Sequence, residues 1–160
     1  MLQIRLVCVG KLKERYFADA ATEYLKRLSG YCKIEVEEVP EARLPQNPSP
    51  AEIEAALLAE AAAIEGRLLK GGAVVALCIE GEMTDSLGLA RLLKDAMASG
   101  RPKLSFVIGS SHGLHPSLKA RADKKLSMSP MTFPHQLARI MLLEQVYRGF
   151  NLLEGGKYHK

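Results

Sequence analysis

The chain has 160 residues, 48% apolar and 25% charged, a composition that fits one globular domain, residues 1–160, large enough to bury a core without disulfide or metal staples. No apolar run approaches the ~18 residues of a membrane span, and the N-terminus reads as a strand rather than a signal peptide, so a cytoplasmic protein without membrane partners is expected. The net charge of +4 fits either an ordinary lysine-rich surface or an acidic partner such as nucleic acid, and the absence of tryptophan disfavours a base-stacking platform.

Residues 2–9 read as a strand, and Glu14 to Ser29 as a helix closed by Gly30. Lys33 to Val39 is a second strand, with Ile34 and Val36 facing inward by alternation. Pro40, Pro45, Pro48 and Pro50 make the next stretch a loop. Ser49-Pro50-Ala51-Glu52 then has the makings of a helix start: a serine cap, proline at the first helical position and glutamate three residues after the serine. The alanine-rich run is expected to stay helical to Lys70 despite Gly66, until Gly71-Gly72. Ala73 to Ile79 is continuously apolar, as a central parallel strand buried on both faces should be. Helix Ser86 to Ala98, strand Leu104 to Ile108, a short helix from about Pro116, a strand near Leu126 and a long helix from Gln136 to Leu153 complete the chain. This alternation predicts a three-layer α/β sandwich with a mainly parallel sheet. Cys8, Cys32 and Cys78 lack metal-ligand spacing and are expected to be buried thiols in a reducing compartment.

Chemistry concentrates in the last third. One strand ends in Gly109-Ser110-Ser111-His112-Gly113-Leu114, and the next leads into Ser127-Met128-Ser129-Pro130-Met131-Thr132-Phe133-Pro134-His135. Two such exits side by side are how an open α/β sheet builds a ligand crevice, which points to an enzyme. The first loop is neither a P-loop nor a dinucleotide fingerprint, and by itself it reads equally as a tight turn that needs glycine. Leu77, near the end of its strand, reads from sequence alone as a core residue. No Gly-x-Ser-x-Gly elbow makes Ser110 or Ser111 a nucleophile. His112, His115, His135 and His159 have no metal-binding spacing, so no metal site is expected; His115 and His135 belong at helix starts.

The last helix is apolar most of the way round, through Leu137, Ile140, Met141, Leu142, Leu143, Val146, Tyr147 and Phe150. Such a helix must be covered on two sides, here by the sheet and by a second subunit. Arg148 either pairs with Glu144, four residues earlier, or stands as a basic group beside the crevice. Gly155 and Gly156 would let the tail Lys157-Tyr158-His159-Lys160 swing over that crevice.

Val9-Gly10-Lys11-Leu12-Lys13, Glu38-Val39-Pro40, Phe106-Val107-Ile108-Gly109, Met131-Thr132-Phe133-Pro134-His135-Gln136, Glu144-Gln145-Val146-Tyr147-Arg148 and Tyr158-His159-Lys160 together resemble the ribosomal RNA large subunit methyltransferase H family, of the SPOUT class, over the whole chain. The resemblance implies a C-terminal trefoil knot, a homodimer and methylation at N3 of a pseudouridine in helix 69 of 23S rRNA. It further implies S-adenosylmethionine as cofactor, contacted by Leu77, Gly109 and the run Met128, Ser129, Pro130, Met131, Thr132 and Phe133, whose backbone would hold the adenine edge. Arg148, Tyr158 and His159, with Lys160 beside them, are then the candidates for catalysis. Ser110 and His112 depart from the family pattern, which often has glycine at the first position and an acidic or amide residue at the second. A knotted methyltransferase with another RNA target, and a non-catalytic RNA- or ribosome-binding factor, are the alternatives.

Overall fold

The computed structural model describes residues 1–158. Five parallel strands, β1 (Gln3–Val9), β2 (Lys33–Val39), β3 (Ala73–Met83), β4 (Lys103–Ile108) and β5 (Lys124–Ser127), lie in the order β2-β1-β4-β3-β5. Helices α1 (Arg15–Leu28), α2 (Pro50–Glu65), α3 (Ser86–Ala98), α4 (Pro116–Arg121) and α5 (His135–Leu153) connect and follow them.

The period of two along β1 builds the layers. Ile4, Leu6 and Cys8 pack with Leu28 of α1, Leu93 of α3 and Leu142 and Val146 of α5. Val7 and Val9 face the other way, onto Ala61 and Ile64 of α2 and Leu118 of α4. Helices therefore cover both faces of the sheet, which is the expected sandwich. Among the described residues no helix is long and apolar enough to cross a membrane.

Two elements differ from their sequence expectations. Helix α2 begins at the expected capping box, with reciprocal bonds between Ser49 and Glu52, but stops at Glu65 instead of Lys70. Gly66 caps it, and Leu68 and Leu69 then turn into the core. The Leu69 N–H finds a partner in Oγ of the fully buried Ser105 at 3.0 Å, so the turn leaves no buried donor unpaired there.

Strand β3 also runs on past Ile79 to Met83. Leu126 of β5 lies opposite both Leu77 and Glu82, so residues 78–81 bulge out of register. A Cβ at Gly81 would come within 2.7 Å of the Leu126 backbone. Only glycine permits that crossing.

Helix α5 meets much of its cover within its own chain. Tyr31 of the α1–β2 turn stacks on Phe150 at 5.6 Å, and Gly149 lets Leu93 of α3 approach so closely that a Cβ there would sit 2.8 Å from it. Its breadth of apolar surface is thus answered first by α1 and α3.

Candidate active site

Strands β3, β4 and β5 end at one edge of the sheet, and their exits shape the site. The loop after β4 folds back on itself: Gly113, at φ +83°, donates its N–H to the Ser110 carbonyl at 2.9 Å. Gly109 faces this turn, since a Cβ there would fall 2.3 Å from the Gly113 carbonyl oxygen. The loop is thus the tight turn that needs glycine, at Gly113 for its backbone angle and at Gly109 for the close approach, and Gly109 also lies on the cavity wall.

The loop after β5 is stiffened by its serines. Ser127 Oγ donates to the Ser129 carbonyl at 3.1 Å, and Ser129 Oγ accepts the Met131 N–H at 3.0 Å. Pro134 then opens α5, its carbonyl accepting the Ala138 N–H.

Between the two loops and the β3 exit lies a cavity of about 670 Å³. Leu77, Gly109, Met128, Ser129, Met131, Thr132 and Phe133 all line it. Pro130 does not; it is exposed on the outer side of its loop. Ile108 and Leu114 add apolar wall, and Cys78, His112 and His135 lie on it too. A larger hollow of about 760 Å³ sits at the opposite, amino-terminal edge, around Gly72, Lys103 and Lys124. Ligands of open α/β sheets bind at the carboxyl edge, so the smaller cavity is the candidate site.

Two lining residues escaped sequence reasoning. Glu80, in the bulge of β3, and Lys119 of α4 form an ion pair at the cavity wall. The one sequence signal was that Glu80 stands three residues after Leu77, at a strand exit. Nothing in the sequence brings Lys119 to it.

Arg148 and Tyr158 do not line this cavity. Arg148 Nε binds Glu144 Oε1 at 2.9 Å, which holds the guanidinium above its ordinary pKa. The Tyr158 hydroxyl donates to the same Glu144 oxygen at 3.2 Å, its ring lies edge-on to Tyr147 at 4.9 Å, and Arg148 stacks over it at 4.7 Å. Burial, then the Tyr24 hydroxyl and Glu144, push the phenol up to about 12. The expectation of a tail free to swing over the crevice is thus corrected for Tyr158. Gly155 at φ +69° and the bond from Tyr158 N–H to Asn151 Oδ1 turn the chain back along α5. His159 and Lys160 lie outside the described residues.

A groove of about 550 Å³ joins the two regions. Ile140, Met141 and Glu144 border it, and it shares Leu126 and Met128 with the cavity. Among the described residues no three histidine, cysteine or acidic side chains gather as a metal set.

Comparison with known proteins gives the family and the fold. The family model for predicted SPOUT methyltransferases matches residues 2–159. The chain belongs to the SPOUT methyltransferase family. It is 43% identical over 160 residues, 100% of both chains, to a Desulforamulus reducens protein named Ribosomal RNA large subunit methyltransferase H. It shares its fold with a probable methylase family protein from Haemophilus influenzae Rd KW20 (TM-score 0.54, 15% identity, 100% of this chain and 72% of that one). It shares it also with a probable methyltransferase from Bordetella pertussis Tohama I (TM-score 0.56, 14% identity, 92% and 93%).

SPOUT methyltransferases use S-adenosylmethionine as methyl donor. The cavity suits that molecule. Its volume falls in the ~300–1,000 Å³ range of small-molecule sites, Leu77, Ile108, Leu114 and Phe133 offer apolar surface to a purine, and the loops after β4 and β5 border it.

Proposed function

We propose that this protein transfers a methyl group from S-adenosylmethionine to N3 of a pseudouridine in helix 69 of 23S rRNA, in the cytoplasm, as a homodimer of single-domain chains spanning residues 1–160. The observation that carries the reading is the full-length identity with the Desulforamulus reducens protein. The Met131-Thr132-Phe133-Pro134-His135 and Tyr158-His159-Lys160 motifs support the finer target.

Leu77, Gly109 and residues 128–133 would receive the cofactor, with backbone groups of the second loop holding the adenine edge; Pro130 would shape that loop from outside. When bound, the cofactor supplies a methyl group activated by its sulfonium. The chain's own part is to hold the nucleophile in line with that methyl group and to favour its anionic form. N3 of pseudouridine is a weakly acidic imide, and it becomes a nucleophile on losing its proton.

The surroundings of Arg148 and Tyr158 support a division of roles among the candidates. Arg148 stays protonated, so it can stabilise the anion but not accept the proton. Tyr158, pushed up to about 12, keeps its proton at neutral pH, donates a hydrogen bond to Glu144 and serves as a positioning group. His159, the side chain whose ordinary range matches neutral pH, is left as the proton acceptor.

Glu144 lies nine residues beyond His135, about 13 Å along α5 at 1.5 Å per residue. Two-fold antiparallel pairing of α5 would carry one subunit's Arg148 and Tyr158 to the other's cavity. The open groove along Ile140 and Met141 supports such a pairing, as do the exposed Met83 and Leu87 beside it. The bulge of β3 over Leu126, passable only at Gly81, supports a chain that threads there as a trefoil knot.

Mass mapping of 23S rRNA from cells with and without the gene tests the reading. Loss of one methyl group from the helix 69 pseudouridine is expected. An unchanged helix 69 would overturn the target, and a methyl lost from another RNA would name the replacement.

A further inference from the structure

Among the described residues lining the 670 Å³ cavity, Glu80 supplies the only carboxylate and Lys119 the only ammonium group. They are paired with each other, one from the bulge of β3 and one from α4, and both stay in touch with solvent, at 53% and 25% side-chain exposure. An ion pair this open adds little to folding stability, so the fold gives no strong reason for its place on the wall. The bulge of β3 that carries Glu80 is the same one that Gly81 makes possible against Leu126. Glu80 therefore stands at a fixed point beside Leu77. Lys125, exposed on β5, adds a second positive charge near Glu80.

The proposed cofactor carries one carboxylate and one ammonium group, both on its amino-acid end, while its adenosine end has neither. An acid and a base side by side on one wall are the complement of that zwitterion. We propose that Glu80 and Lys119 form the subsite for the amino-acid end of S-adenosylmethionine, Lys119 meeting its carboxylate and Glu80 its ammonium group. The inference rests on the cofactor reading above. The pair opens to admit the ligand's two charges, and because both partners are already solvated the exchange costs little. Adenosine lies on the apolar part of the wall, so this subsite selects the intact cofactor over fragments that lack the amino acid.

Calorimetry with two ligands tests it. S-adenosylhomocysteine has the amino-acid end; 5′-methylthioadenosine keeps the nucleoside and sulfur but lacks it. In Glu80→Gln and Lys119→Met, S-adenosylhomocysteine should bind about tenfold or more weakly, the loss of one charge-assisted contact. Methylthioadenosine should bind as it does to the unmodified protein. Unchanged S-adenosylhomocysteine binding in both variants would overturn the subsite. Equal losses for the two ligands would overturn it too, since that pattern means a damaged wall. If the unmodified protein bound neither ligand, the cofactor reading itself would fall and take the subsite with it.

Discussion

Ser110 Oγ donates a hydrogen bond to Oε1 of Glu60 at 3.2 Å. The other oxygen of that carboxylate accepts the Ala42 N–H at 2.9 Å, and Glu60 itself is only 5% exposed. One buried carboxylate in α2 thus ties the loop after β2 to the loop that borders the candidate cofactor cavity. The Ser110 hydroxyl gives that loop an anchor.

Ser110→Ala would leave one Glu60 oxygen buried without its donor, at a cost of about 1–3 kcal/mol. In a domain this size that lowers the unfolding temperature by roughly 2–12 °C. Cofactor affinity should fall with it, because the loop loses its brace. Calorimetry beside thermal unfolding checks both, and unchanged values for each would remove the brace.

Gly109→Val should abolish S-adenosylmethionine binding by displacing the loop. The reason is the Gly113 carbonyl oxygen, which a Cβ at this position would meet at 2.3 Å. Gly109 itself lies on the loop after β4, outside α5, so sedimentation should show the same oligomer as the unmodified protein. Normal cofactor binding by this variant would mean the cavity is misplaced.

Thiol chemistry offers an independent view of the cavity. Burial pushes Cys8 and Cys32 up to about 12, which leaves almost no thiolate at neutral pH. Cys78 is half-buried on the cavity wall, and burial, with Glu80 second, raises its pKa as well. A small alkylating reagent should therefore modify Cys78 first, faster as pH rises, and more slowly with S-adenosylmethionine present. Peptide mass mapping reads the site, and equal labelling with and without cofactor would place Cys78 outside the occupied space.

Deleting Tyr158 to Lys160 should abolish methyl transfer and leave cofactor affinity intact. Lost orientation alone can reach several kcal/mol, on the order of a thousandfold in rate. Tyr158 also packs on Tyr147 and Arg148, so a small loss of stability accompanies the deletion. Its phenol is raised from 10.0 to about 12 in the fold, so docking contributes fully below pH ~10 and is lost as pH climbs through ~12. Tyr158→Phe should lose that alkaline step while keeping the ring contacts. If the site spans two subunits, mixing tail-deleted chains with Gly109→Val chains should restore activity in mixed dimers. Full activity of the deleted enzyme would take the tail out of the mechanism.

Local patterns carried most of the fold. The Ser49–Glu52 capping box and the alternation that turns Ile34 and Val36 of β2 inward depend on neighbours a few residues apart, and each stands as read. The end of α2 did not follow from propensity because Leu68 and Leu69 gain more by turning inward, where Ser105 of β4 receives the chain. The bulge of β3 was hidden for a similar reason: it depends on Leu126, far along the sequence. The second loop of the site was legible through its motif. The Glu80–Lys119 pair and the Tyr158–Glu144 contact were not, since each joins residues that only the folded chain brings together.

The most direct test is methyl transfer in a defined mixture: purified protein, S-adenosylmethionine and ribosomes from cells lacking the gene. Mass mapping of the 23S rRNA should show one methyl group gained at a single pseudouridine in helix 69, with none gained when the cofactor is omitted. An unmethylated helix 69 after prolonged incubation, with cofactor binding demonstrated in the same preparation, would contradict the proposed reaction.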